Sequence, residues 1–315
     1  MPCIEIAKST TRISAQLVLW GLAALAMPLA TFAISPVIAI NNEAKTANVS
    51  VTPLRDGISV LMGSGGNVTV LSGSGELLLV DGGIAYSKAS MIKALTLISS
   101  APPKYLIDTH YHWDHTDGNE WLHERGATII GQDNTLKRLS VDTRVDDWEW
   151  TFPTYPASAR PTVVFTSAKT LQFHGRTIEL NYYGPCHTDS DISVYFVEPD
   201  VLATGDTWWN GVYPFIDNEN GGSIDGMIRA ANDNIAKVTE HTLVIPGHGP
   251  IGGRKELIDY RDMLVGVRAK VAELKTQGKS RADVIAAKPT AAYDAKWGGF
   301  VLDGAFFTRL VYDGL

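Results

Sequence analysis

The chain has 315 residues, of which 45% are hydrophobic and 19% are charged, as is ordinary for a globular protein. The net charge is −7, and no run of lysine or arginine could follow a phosphate backbone, so nucleic acid is excluded as a partner. There are only two cysteines, Cys3 and Cys186, which excludes a disulfide framework. The fold must therefore rest on its own core, for which this length suffices.

The first forty residues differ in character from the rest. Lys8 and Arg12 precede an apolar run over 17–33, and small and then polar residues follow it. This order is typical of a secretory signal peptide. We therefore predict a signal peptide over 1–39 and a protein that is exported, either to the periplasm or out of the cell.

A retained membrane anchor is the alternative to cleavage, because the apolar run nearly reaches the ~20 residues that span a bilayer. Pro28 and Pro36 interrupt a continuous helix there, so cleavage is the preferred interpretation. After cleavage we expect no stable membrane contact, and a folded domain over 46–315.

Short apolar runs separated by glycine-rich turns predict a sheet in the first half of this domain. Strands are predicted at 58–62, 68–71, 77–80 and 105–107, with a helix over 87–99. The turns at 63–66 and 73–75 lack the Lys-Ser/Thr ending of a phosphate loop and are interpreted as hairpin turns. A further helix should start at a capping box formed by Asp117 and Glu120 and end at Gly126.

The second half repeats this organisation. Strands are predicted at 162–165, 177–182, 192–196, 201–203 and 242–245, and helices over 223–239 and 255–276. Along the chain, the predicted elements begin with strands and continue with strands that alternate with helices. This order predicts an α/β (α+β) fold of two packed sheets with helices outside. The aromatic-rich segment 132–160 has no clear period, and it is either a functional loop or a surface excursion.

A cluster of metal-binding residue types follows the strand at 105–107. It reads His110-Tyr111-His112-Trp113-Asp114-His115, with three histidines and one aspartate in six residues. Imidazole nitrogens and carboxylate oxygens are common zinc ligands. Alternate side chains of an extended segment share a face, so His110 and His112 can address the same ion.

Four ligands on one loop do not complete two sites, and later turns supply partners. Three histidine- or aspartate-bearing turns each follow a predicted strand, with Cys186-His187 in the first, Gly205-Asp206 in the second and Gly247-His248 in the third. Each turn alone is weak evidence, whereas together and in this order they form a strong pattern.

The run HYHWDH resembles the His-x-His-x-Asp-His signature of the metallo-β-lactamase-fold superfamily, and CHTDSD, TGD and PGHG resemble its later ligand motifs. The resemblance implies a four-layer αββα sandwich with metals at one edge of the sheets. It also implies a ligand assignment: one zinc held by His110, His112 and His187, a second by Asp114, His115 and His248, and Asp206 bridging both.

Asp206 is the most informative departure from the lactamase pattern. β-Lactamases of the superfamily typically carry cysteine or serine there, whereas aspartate is similar to its glyoxalase II and lactonase branches. The fold name therefore does not decide the activity. Two Zn²⁺ per chain are the expected cofactors because the donors are mostly imidazoles, with iron or manganese as alternatives.

The expected activity is that of a dinuclear zinc-dependent hydrolase acting on a small molecule. A metal-bridged hydroxide would attack the carbonyl of an ester, thioester, lactone or lactam. Asp114 would be a metal ligand that also orients the nucleophile. The alternatives are an exported β-lactamase, a non-haem iron redox enzyme and a non-catalytic metal-binding protein. The oligomeric state and the substrate stay open, although Arg229 or Lys255 could reach the pocket.

Two further features are less specific. Cys186, beside His187, is either a redox-sensitive thiol or a small buried residue. A set of aromatic residues near the ligand motifs could wall a pocket or pack in the core. It comprises Tyr111, Trp113, Trp208, Trp209, Tyr213 and Phe215.

Overall fold

Two β-sheets form the centre of the computed structural model, which describes residues 35–315. The first has seven strands in the order β1-β2-β3-β4-β5-β6-β9, and the second has five in the order β10-β11-β12-β13-β14. The strands of the first sheet are β1 (Ser50–Pro53), β2 (Ile58–Met62), β3 (Val68–Gly73), β4 (Glu76–Val80), β5 (Pro103–Ile107), β6 (Thr128–Gln132) and β9 (Val163–Phe165). Those of the second are β10 (Ala168–Phe173), β11 (Arg176–Tyr182), β12 (Ile192–Phe196), β13 (Val201–Ala203) and β14 (Leu243–Ile245).

Each sheet begins as an antiparallel meander and ends in parallel pairs. Strands β1 to β4 and β10 to β13 are antiparallel neighbours, whereas β4-β5, β5-β6, β6-β9 and β13-β14 are parallel. Parallel pairing needs a crossover connection, and helices accordingly follow β4, β5, β6 and β13, whereas no helix lies between these antiparallel neighbours. The carboxyl ends of the parallel strands leave the sheets on the side where the candidate ligands follow.

Helices cover the outer face of each sheet. They are α1 (Pro36–Ala44), α2 (Lys88–Ile98), α3 (Trp113–Thr116), α4 (Asn119–Glu124), α5 (Asp133–Leu139), α6 (Ile224–Lys237), α7 (Arg254–Thr276), α8 (Arg281–Ala286), α9 (Asp294–Trp297) and α10 (Gly304–Asp313). Helices α2 and α4 pack on the first sheet, and α6, α7 and α10 share a cluster with residues of the second. A third apolar cluster fills the space between the sheets, with Val60 and Leu78 on one side and Leu180 and Val194 on the other. The result is the four-layer αββα sandwich that the motifs implied.

Each strand predicted from the sequence is present, but β1, β6 and β10 were not predicted, and the predicted capping box is wrong. The carboxylate of Asp117 accepts a hydrogen bond from the Ala85 amide at 2.8 Å, and Glu120 accepts one from Ser158. Helix α4 instead begins after Gly118. The predicted helix itself is present as α4, within the expected bounds, and α3 is an additional short helix before it.

The segment 132–160 is more ordered than its sequence suggests. After α5 it forms a hairpin of β7 (Thr143–Val145) and β8 (Trp150–Phe152). Trp148, between these strands, lies against Phe215 with ring centroids 4.5 Å apart and against Trp113 at 5.0 Å. The excursion therefore packs back onto the body and brings an aromatic residue to the ligand cluster.

The predicted signal peptide lies almost wholly outside the described residues, but its last part does not. Helix α1 begins at Pro36, and Val37 and Ala44 are buried. The predicted boundary at residue 39 therefore falls inside a packed helix. Within residues 35–315, no helix has the length and apolarity needed to cross a membrane.

Candidate metal centre

All seven residues predicted as ligands come together beyond the carboxyl ends of the parallel strands. His110, Asp206 and His248 each lie three residues after the end of a strand, namely β5, β13 and β14. The donor atoms form two groups, each within 4.8 Å: His110, His112, His187 and Asp206 in one, and Asp114, His115 and His248 in the other. The side chains of all seven are buried.

Three imidazole nitrogens face one another in the first group. The Nε2 atom of His110 is 3.1 Å from Nδ1 of His112, and that atom is 2.9 Å from Nε2 of His187. A proton shared between any two of these nitrogens would leave the third nitrogen without a hydrogen bond. The tautomer of each histidine is therefore decided by its other ring nitrogen, which points away from this group and is called the outer nitrogen below.

Each outer nitrogen in this group faces an acceptor, so its ring proton is placed there. His187 Nδ1 is 2.8 Å from the carbonyl oxygen of Phe215, and His112 Nε2 is 3.1 Å from the carboxylate of Asp217. His110 Nδ1 is 3.0 Å from the hydroxyl of Thr109, whose own proton goes to Asp81 at 2.9 Å. The three inner nitrogens therefore carry bare lone pairs that converge, which is the arrangement of metal ligands.

The second group shows the same arrangement. His115 donates through Nδ1 to Asp81 at 2.8 Å, and its buried Nε2 has no hydrogen-bond partner among the described residues. That Nε2 lies 3.2 Å from Oδ1 of Asp206, which is also buried and unpartnered. A buried imidazole nitrogen and a buried carboxylate oxygen held this close, with no hydrogen bond between them, indicate a place for a cation.

Asp206 faces both groups. Its Oδ2 lies 3.3 Å from Nε2 of His187 and 3.3 Å from Nε2 of His248. His248 also lies 3.3 Å from Oδ2 of Asp114. The carboxylate of Asp206 can therefore contact two ions at once, and the donor set fits a dinuclear metal site.

The charges of the two groups differ. Burial lowers the pKa of His110 and His187, which favours the neutral form that binds metals. Burial opposes the charge of His248 as well, but the carboxylates of Asp206 and Asp114 raise its pKa to about 9. Without metal, protons therefore compensate the carboxylates there, and a bound cation would displace them.

Glycines allow this close approach of backbone and ligands. A Cβ atom on Gly66 would lie 2.3 Å from the ring of His115, and one on Gly247 would lie 1.9 Å from Oδ1 of Asp206. The turn at 63–66 does connect β2 and β3 as a hairpin, as predicted. It also forms part of the wall around the second group of ligands.

A cavity of about 130 Å³ opens beside Asp114, Asp206 and His248. Of the aromatic residues singled out in the sequence, Trp113, Trp209 and Phe215 line this cavity. Trp208 and Tyr213 are instead buried in the core, and the Tyr111 hydroxyl donates to Asp217. Neither Arg229 nor Lys255 reaches the cavity: Arg229 bonds to backbone carbonyls, and Lys255 pairs with Asp259.

Helix α1 lies over the cavity as an additional wall. Pro36, Ile40 and Glu43 line it. The Trp113 indole N–H donates to the Asn41 side chain of this helix at 3.0 Å. The sequence did not reveal this wall, because the predicted signal peptide took in residues 36–39 and the folded domain was expected to begin only at 46.

Other residues with a role at the site were also missed. Asp81 ends its strand in a left-handed conformation and binds both Thr109 and His115, but nothing in the sequence distinguished it from an ordinary turn residue. Asp217 and Trp148 carry no local motif. Cys186 is buried, and its thiol donates to Asp191 at 3.3 Å. Burial and that carboxylate raise the thiol pKa, as expected for a packing residue rather than a reactive one.

The fold and the ligand set define a metallo-β-lactamase-type protein, and sequence comparison agrees. The family model described as "Metallo-beta-lactamase superfamily" matches residues 61–248, which include all seven candidate ligands. The chain therefore belongs to the metallo-β-lactamase superfamily, whose members are mostly hydrolytic enzymes.

Among curated proteins, a hydroxyacylglutathione hydrolase of Pelagibacter ubique (strain HTCC1062) is 29% identical over 107 residues. The aligned part is 33% of this chain and 36% of that enzyme, so the chain spans about a third of the length of this relative.

Solved structures share the fold at low sequence identity. A double mutant of the sec-alkyl sulfatase PisA1 aligns with a TM-score of 0.65 and 15% identity, over 84% of this chain and 50% of that one. The DIM-1 metallo-β-lactamase aligns with a TM-score of 0.54 and 19% identity, over 69% of this chain and 97% of that one. A metallo-β-lactamase from Pontibacter korlensis aligns with a TM-score of 0.55 and 18% identity, over 69% and 99% of the two chains.

Proposed function

We propose that the chain is an exported, dinuclear zinc-dependent hydrolase that cleaves a small ester, thioester, lactone or lactam. The observation that carries the proposal is the carboxylate of Asp206, which lies within 3.3 Å of imidazole nitrogens from both ligand groups. Five imidazoles and two carboxylates are a donor set that suits zinc better than magnesium or calcium, which prefer all-oxygen sites.

Two divalent cations in such a site would lower the pKa of a water molecule and polarise a carbonyl group. The side chains of the chain would do the rest. Asp114 lines the cavity, so its carboxylate can accept a hydrogen bond from the attacking water and orient it. Asp81 and Asp217 hold the rings of His115 and His112, and thereby fix the direction of their lone pairs.

The overall reaction is hydrolysis. The oxygen of water adds to the acyl carbon, and the bond from that carbon to the leaving oxygen, sulfur or nitrogen breaks. The leaving group takes up a proton from the water. The aromatic side chains beside Asp114 reduce the access of bulk water, which strengthens the electrostatic interactions at the reacting carbonyl.

The test is a hydrolysis screen of purified protein whose metal content has been measured. It covers neutral esters, lactones, acyl thioesters and a β-lactam reporter, and compares the wild type with Asp206→Ala. Asp262→Asn, a change at an exposed aspartate, is the control for a lost carboxylate. Turnover of one class that Asp206→Ala abolishes and Asp262→Asn preserves supports the proposal. Protein that binds two metal ions but hydrolyses none of these classes would refute it.

A further inference from the structure

The wall of the active-site cavity is apolar on nearly every side that faces away from the metal centre. Trp113, Trp148, Trp209, Phe215, Phe300 and Leu302 contribute to it. They come from four separate parts of the chain: the ligand loop, the excursion at 132–160, the segment after Asp206, and the loop between α9 and α10. Helix α1 adds a fifth side through Pro36 and Ile40. Their convergence indicates a pocket built for an apolar group rather than a chance patch of the surface.

Apart from His248, a candidate metal ligand, no basic side chain of the described residues lines this cavity. Neither lysine nor arginine is among the described residues around it, nor around the neighbouring cavity that shares Gly65, His248 and Phe300 with it. The cationic groups of this region bond elsewhere. Arg138 pairs with Asp189, and Arg309 pairs with Asp147.

A negative side chain stands at both cavities instead. Glu43 of helix α1 lines each of them, and its side chain is exposed. Within residues 35–315 its carboxylate forms no ion pair, so its charge is not neutralised by a neighbour. A substrate in either cavity therefore lies near a carboxylate that has no ion-pair partner among residues 35–315.

We infer that the pocket selects uncharged esters or lactones with an apolar acyl chain, and disfavours substrates that carry a carboxylate on that chain. The inference rests on the hydrolase activity proposed above and names its substrate class. A carboxylate buried against the aromatic wall would lose water without gaining a partner. Near Glu43 it would also meet a like charge, which costs binding free energy even in high dielectric.

The test measures binding separately from turnover. The probes are a medium-chain methyl ketone, which cannot be hydrolysed, and the same ketone with a carboxylate at the far end of its chain. Because Trp113, Trp148 and Trp209 line the cavity, binding can be followed by quenching of tryptophan fluorescence. Metal-loaded and chelator-treated protein are both titrated, so that direct contact of the carboxylate with metal is separated from contact with the pocket.

We expect the neutral ketone to bind at least about tenfold more tightly than the keto acid to either form of the protein. Glu43→Gln should tighten keto-acid binding by about fivefold, and Glu43→Lys should tighten it further, with the neutral ketone little changed in both. Glu124→Gln is the matched control, since Glu124 is an exposed glutamate that lines neither cavity.

Equal binding of the two ketones, tighter binding of the keto acid, or no binding of either would overturn the inference. Insensitivity to Glu43→Lys would overturn the role of Glu43. Parallel hydrolysis assays with p-nitrophenyl esters of the corresponding acids distinguish the two proposals. Selective binding without hydrolysis would refute the proposed hydrolase activity but support the proposed selectivity of the pocket. Hydrolysis of both esters at equal kcat/KM would refute the selectivity but support the hydrolase activity.

Discussion

Replacement of Asp217 by asparagine would remove the charge that supports His112. Asp217 is buried and accepts hydrogen bonds from His112 Nε2 at 3.1 Å, from the Tyr111 hydroxyl and from the Asn220 side chain at 2.9 Å. Burial opposes its ionisation, but the hydrogen bonds from His112 and Tyr111 outweigh that effect and lower the pKa of Asp217. The group is therefore a carboxylate at neutral pH.

The size of the effect follows from the position of this carboxylate. Asparagine keeps the shape of the side chain, but a neutral acceptor would then face the His112 N–H, and Nδ1 would become a weaker electron donor. Loss of such an outer partner typically lowers metal affinity by about 10–100-fold, or ~1.4–2.7 kcal/mol. We expect Asp217→Asn to lose affinity within that range at the ion held by His112.

The assay is competition for zinc against a chromophoric chelator near neutral pH, with circular dichroism to establish that the variant is folded. Asp262→Asn is the control. Asp262 is exposed, and its replacement removes the same charge without touching a ligand contact. A folded Asp217→Asn protein with the zinc affinity of the wild type would refute the reasoning. A loss equal to that in Asp262→Asn would refute it as well.

Three further predictions concern the metal centre and the helix over it. Gly247→Ala should lose at least one metal ion per chain by elemental analysis, because its Cβ would lie 1.9 Å from Oδ1 of Asp206. Gly299→Ala, whose Cβ meets nothing within 4 Å, should keep both ions. Chelation should lower Tm by about 5–10 °C in a thermal scan, as expected when a ligand present at ~100 times its Kd is removed from a domain of this size; an unchanged Tm would contradict a metal-stabilised fold. Intact mass of the exported protein should place its first residue no later than Ser35, the residue before α1, because cleavage at 39 would remove the buried Val37; a first residue at 40 would contradict this.

Most of the strands and all of the ligand loops could be predicted from the sequence, for a physical reason, whereas the strands β1, β6, β7, β8 and β10 were missed. A buried strand such as β12 consists of branched and aromatic residues bounded by turn residues, and this local pattern survives in any context. The ligands are also recognisable locally, because His110, His112, Asp114 and His115 come from one short loop. Their convergence with Asp206 follows from parallel strands ending at the same edge.

Features that depend on contacts between distant segments could not be predicted in this way. Helix α1 has an apolar sequence that continues the signal-like run, and only its packing against Trp113 and Trp148 identifies it as a wall of the cavity. Asp217 lies in an irregular loop, and its role depends on His112, 105 residues earlier in the chain. The capping box failed because Asp117 had a competing partner, the Ala85 amide, brought close by tertiary structure.

The most direct test of the account is an anomalous difference map at the zinc edge from crystals of the protein grown with zinc. We expect two peaks about 3.5–4 Å apart. One should be surrounded by His110, His112 and His187, the other by Asp114, His115 and His248, with Asp206 in contact with both. A single peak, or none at these residues in a protein saturated with zinc, would contradict the dinuclear centre.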